Sequence, residues 1–107
     1  MTPLSFYKCL ADDTRLKILL LVAVKKELCV CELTTALALS QPKISRHLAQ
    51  LRKCQLLTDE RRGRWVYYQL DSQLPGWAHQ VLQLTATSAQ SDLAVALNNL
   101  TRSGELC

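Results

Sequence analysis

Between Ser40 and Leu70 the spacing of apolar residues changes once, and abruptly. Ile44, Leu48 and Leu51 recur at intervals of four and three, which gathers them on one side of a helix. Ser40 is a good N-cap for that helix, and Pro42 falls in the first turn, where a missing N–H costs nothing. The pattern predicts a helix over about 41–54. Beyond it, Leu56 to Glu60 and Trp65 to Leu70 read as two strands around Arg61-Arg62-Gly63-Arg64, with Gly63 supplying the positive φ of a hairpin loop.

The segments on either side are helical. Leu16, Leu19, Leu20 and Ala23 follow helical spacing behind Asp12 and Asp13, either of which can accept bonds from free first-turn amides. From Cys31 to Leu39 a short stretch places Leu33, Ala36 and Leu37 on one face, too short to stand alone. From Leu74 to about Arg102, with Pro75 in the opening turn, Trp77, Val81, Leu84, Leu93, Leu97 and Leu100 predict one long terminal helix, of poorer quality over Thr85 to Ser91. Such a helix exceeds what a small core covers, so part of its apolar face is expected against a second subunit. The expected architecture is mainly α with a small two-stranded β wing, in a single domain over residues 1–107.

The longest apolar run, Ile18 to Val24, is far short of the roughly 18 residues a membrane span requires. It follows two aspartates inside a helical pattern, so it does not read as a signal peptide, and the expected location is the cytoplasm. In that setting the five cysteines, at 9, 29, 31, 54 and 107, are expected as reduced thiols.

Charge is unevenly placed. The chain carries 13 Lys and Arg against 9 Asp and Glu, and Lys43, Arg46, Arg52, Lys53, Arg61, Arg62 and Arg64 fall in the helix and hairpin just described. Two helices joined by a short turn, the second bearing Gln41, Lys43, Ser45, Arg46, His47 and Gln50, match a helix-turn-helix whose second helix enters a major groove. Gln pairs bidentately with adenine, Arg and Lys with guanine, and Ser bonds to phosphate or base edges. Ser40 caps the helix and is placed to touch phosphate, while Arg61, Arg62 and Arg64 would grip the backbone. The whole reads as a winged helix on double-stranded DNA. No glycine-rich phosphate loop or paired-carboxylate arrangement is present, and His47 and His79 lack a partner set, so neither an enzyme nor a catalytic cofactor is indicated.

Cys29 and Cys31 flank Val30 where the short helix begins, and a helix N-terminus favours the thiolate form that binds soft ions. Within an ideal helix, residues two apart point about 200° away from one another, so a shared ion would have to distort the turn. Cys9 and Cys54 read most simply as small apolar fillers.

The segments ADDTRLKILLLV, ELCVCEL, LSQPKISRHLAQLRK and RRGRWVYYQL, across most of residues 11–70, resemble the ArsR/SmtB family of metal-responsive repressors, in particular its arsenic-sensing branch. The resemblance implies a homodimer built on the first and last helices. It also implies binding to an inverted-repeat operator and release when arsenic(III) or antimony(III) engages cysteine thiolates. The family's pattern has a third cysteine three positions after the second, where this chain has Thr34. A third ligand would then come from Cys107, from Cys9 or from a small-molecule thiol or hydroxide, or an organic arsenical would need only Cys29 and Cys31. Three other readings stay open: a cadmium or lead sensor of the same fold, a thiol-based redox or persulfide sensor, and a DNA-architectural module with incidental cysteines.

Overall fold

The structure is a computed structural model that describes residues 1–102. In chain order it contains α1 (Pro3–Leu10), α2 (Asp13–Lys25), β1 (Leu28–Cys29), α3 (Val30–Leu37), α4 (Gln41–Lys53), β2 (Leu57–Arg62), β3 (Trp65–Leu70), α5 (Gly76–Ser88) and α6 (Gln90–Arg102).

The centre is α2. Asp12 caps it by accepting from the Arg15 N–H at 3.0 Å, and every residue from Ile18 to Ala23 is buried. A helix apolar all round must be covered all round, and α1, α4, α5, α6 and the sheet pack about it. Ile44, Leu48 and Leu51 enter the same core from α4, as the apolar stripe predicts, joined by Leu33 of α3 and Leu82 of α5. Fully burying a side chain of this size contributes about 1.5–3 kcal/mol.

The turn between α3 and α4 uses a left-handed Ala38 at φ 55°, after which Ser40 accepts from the Lys43 N–H and opens α4. The hairpin forms where the sequence places it, but its first strand runs on through Arg61 and Arg62, so only Gly63 and Arg64 remain in the turn. Arg62 pairs with Trp65, and Gly63 sits at φ 63°.

Three expectations are corrected. The sheet has three strands rather than two, in the order β1-β3-β2, all antiparallel. β1 is only two residues long, and its partners Tyr68 and Tyr67 lie far away in sequence, so periodicity carries no trace of it. The terminal helix is two helices meeting at Ala89, whose φ of −96° and ψ of 20° break the ladder. Just before the break, the Thr85 and Thr87 hydroxyls donate to the Val81 and Gln83 carbonyls, an interaction that weakens helices. The break also lets α5 lie along α2 while α6 turns onto α3, where the Asn99 amide donates to the Ala36 carbonyl at 3.1 Å. Lastly, Cys9 and Cys54 are joined as a disulfide instead of packing as separate thiols.

Candidate nucleic-acid interface and thiol cleft

On α4 the side opposite the core stripe is polar and open: Gln41, Lys43, Ser45 and Arg46 are all exposed. Ser40 is exposed too, its hydroxyl engaged by the cap. His47 is different. It is half-buried and turned toward the start of α2, with Nδ1 3.8 Å from an Asp12 carboxylate oxygen, one turn along the helix from the exposed Lys43.

The three hairpin arginines also divide. Arg61 is exposed. Arg62 makes a two-pronged pair with the Glu27 carboxylate, both contacts at 2.8 Å, bonds to Glu60 and lies over the Tyr67 ring. These bonds hold the Glu27 carboxyl below its ordinary range and push the Arg62 guanidinium up. Arg64 lies over the Trp65 ring. Thus Arg62 braces the hairpin against the α2–β1 connection, while Arg61 and Arg64 remain presented outward. Sequence reading missed Glu27, because its partner is 35 residues away and only the fold brings the two together.

Cys29 and Cys31 line one cleft of about 360 Å³, together with Thr34, Gln41 at the start of α4, and Arg64, Trp65 and Val66 of the hairpin. Cys29 belongs to β1 and is the N-cap of α3, with extended backbone at φ −88° and ψ 166°. This changes the geometric expectation. Because only Cys31 stands within the helix, the 200° separation of an ideal helix does not apply to the pair, and both residues border the same cleft. A capping box fixes Cys29: its N–H donates to the Glu32 carboxylate at 3.0 Å, and the Glu32 N–H faces the sulfur.

Burial pushes the Cys29 thiol up, and the Glu32 N–H only partly offsets it. The helix terminus therefore loses to desolvation, against the expectation of a lowered thiol. The Thr34 hydroxyl is committed to the Cys31 carbonyl at 2.7 Å. Among the described residues no three His, Cys, Asp or Glu side chains gather as a metal ion would require. Cys107, expected as a third ligand, lies outside the described residues. Cys9, the other candidate, meets Cys54 rather than the cleft. Two cysteines at one cleft bring sulfur donors of the kind that suit a soft ion or a trivalent metalloid.

A basic helix packed by its apolar stripe, led in by a short helix and followed by an arginine-tipped hairpin, defines a winged helix-turn-helix regulator of transcription. Residues 12–59 match the family described as bacterial regulatory protein, arsR family. The chain is 51% identical over 105 residues to the arsenic resistance transcriptional regulator ArsR1 of Pseudomonas putida, covering 98% of this chain and 82% of that one. It is 46% identical over 102 residues to the arsenical resistance operon repressor of Escherichia coli, covering 95% and 87%. Among solved structures, the AntR antimony-specific transcriptional repressor superposes with a TM-score of 0.66 at 26% identity, covering 81% of this chain and 76% of that one. The chain belongs to the ArsR family. These relatives regulate transcription and are not enzymes. No helix among the described residues is long and apolar enough to cross a membrane.

Proposed function

We propose that this chain is a homodimeric repressor of arsenic-resistance genes, released from its operator when an arsenic(III) or antimony(III) compound, inorganic or organic, is captured by Cys29 and Cys31. Gln41, Lys43, Ser45 and Arg46 read the major groove, Ser40 and the arginines at 61 and 64 hold phosphates, and Arg62 positions the wing. His47 supports α4 from the side through Asp12.

The observation that carries this reading is the lining of the thiol cleft. It joins the start of α3, the first residue of α4 and the turn end of the wing, so a ligand seated there bears on both elements that would touch DNA and on the helix that leads into them. Capture also takes the Cys29 sulfur away from the cap of α3, loosening the helix that leads into α4. A coupling of about 1–3 kcal/mol between inducer and operator is the usual scale of such linkage. Two thiolates satisfy a singly substituted organic arsenical; for inorganic arsenic, Cys107 or a small thiol supplies the third sulfur. Exposed Leu4, Tyr7, Trp77 and Leu84 on α1 and α5 support pairing of two chains through these helices.

Operator titrations with arsenite, antimonite, phenylarsenite, cadmium and hydrogen peroxide, repeated in Cys29→Ser, Cys31→Ser and Cys107→Ser, test the reading. Release by the metalloids that is lost in the first two variants supports it. Release by peroxide alone, or by none of these agents, would overturn it.

A further inference from the structure

Three contacts in succession join one side of α4 to the junction of α1 and α2. Asp12 faces His47. Arg15 donates to the Gln50 side chain and to the Cys9 carbonyl, each at 2.7 Å. Cys54, at the C-cap of α4, is bonded to Cys9 of α1. Positions 47, 50 and 54 are spaced by three and four, so they share a stripe that flanks the core stripe and that begins, one turn earlier, at the exposed Lys43. This stripe holds the recognition helix at its angle to the body, and its last contact is a pair of sulfurs.

The pair lies apart from the thiol cleft, whose lining includes neither cysteine. Its Cα atoms are 6.6 Å apart, within the span a disulfide bridges, and whether two thiols so placed are open or closed depends on the surrounding redox poise. The two are 45 positions apart, and the stretch between them contains α2, β1, α3 and α4, so the bond closes a ring around the complete helix-turn-helix unit. Cys9 is buried at 5% exposure, whereas Cys54 is only half-buried and is the sulfur a small oxidant meets first.

We propose that Cys9 and Cys54 form a second, redox-active dithiol, closed by hydroperoxides and reopened by thiol–disulfide exchange, whose closure pins the recognition helix to α1 and slows its departure from DNA. In closing, the Cys54 thiolate attacks one peroxide oxygen and expels hydroxide, giving a sulfenic acid. The Cys9 thiolate then attacks the Cys54 sulfur and expels a second hydroxide. Two thiols and one hydrogen peroxide thus become one disulfide and two waters. In reopening, an external dithiol takes the bond and is itself oxidised. Because Arg15 and Asp12 already hold α4 in the same place, the bond restricts the helix without relocating it.

The test uses the full chain with hydrogen peroxide and no metalloid. Peptide mapping is expected to recover the Cys9 and Cys54 peptides as one linked species, lighter by the two thiol hydrogens and separated by dithiothreitol. The same linkage is expected in Cys29→Ser/Cys31→Ser, which removes the cleft thiols. Operator dissociation should slow several-fold on oxidation of the unaltered protein and stay unchanged in Cys54→Ala and in Cys9→Ala. The unfolding midpoint should rise by on the order of 10 °C, the scale for a ring of this length in a small domain. Thiols at 9 and 54 that remain open to alkylation, or a link to any other cysteine, would overturn the proposal at its chemistry. A linked protein that leaves DNA as fast as the reduced one would overturn it at its consequence.

Discussion

The Cys29 sulfur is held by two opposed influences, and the balance sets its reactivity. Its place at the head of α3 brings the Glu32 N–H toward it, but burial at 3% exposure dominates and keeps the thiol protonated beyond the usual range. Alkylation at Cys29 should therefore be slower than for free cysteine near pH 8 and should keep rising as pH passes the ordinary thiol value, measured by mass spectrometry of the modified peptide. A rate equal to free cysteine across that range would contradict this. Asp12 shows the opposite sign. Hydrogen bonding from the Arg15 N–H holds its carboxyl below the usual value, despite some desolvation, so its stabilisation is present above the unfolded pKa and is lost as pH falls through the folded one. Asp12→Ala should cost about 1 kcal/mol near neutrality, and the deficit relative to the unaltered protein should shrink in acid, as read by denaturant unfolding at several pH values.

At the scale of elements, the recognition helix and the wing were legible because their signals are local: a cap, a stripe of three residues, a glycine between two alternating runs. The two-residue β1 and the Glu27–Arg62 brace were not, since each depends on a partner more than thirty residues away. The break at Ala89 was visible only as a stretch of poor helix formers; that it separates two helices follows from packing against α2 and α3. The placement of the cysteines divides in the same way. Cys29 and Cys31 are neighbours in sequence, but their shared cleft with Gln41 and the hairpin is a product of the fold. If the wing's angle depends on the brace, Glu27→Gln should weaken operator binding although Glu27 carries the wrong charge to touch DNA. Removing a negative charge from a DNA-binding protein would otherwise strengthen binding, so stronger binding, by fluorescence anisotropy, would contradict the bracing role. Lys43→Ala and Arg46→Ala should each lose about 1–3 kcal/mol of specific binding if the side chain pairs with a base; unchanged discrimination between operator and random DNA in both would defeat the groove assignment.

For the whole molecule, a central helix buried from Ile18 to Ala23 leaves α1 and α5 with apolar residues in solvent, Leu84 at 71% and Leu4 at 64% exposure. Pairing of two chains there would cover them and set two recognition helices on one inverted repeat. Leu4→Glu/Leu84→Glu should sediment as a folded monomer and bind operator much more weakly; an unchanged sedimentation coefficient would place the interface elsewhere. The claim on which the functional reading depends is narrower, namely that the thiols of β1 and α3 govern the grip of α4 and the wing on DNA. Fluorescence anisotropy of labelled operator, titrated with antimonite, tests it most directly. The unaltered protein should release the DNA while Cys29→Ser/Cys31→Ser remains bound throughout; release of the double variant at the same antimonite concentration would contradict it.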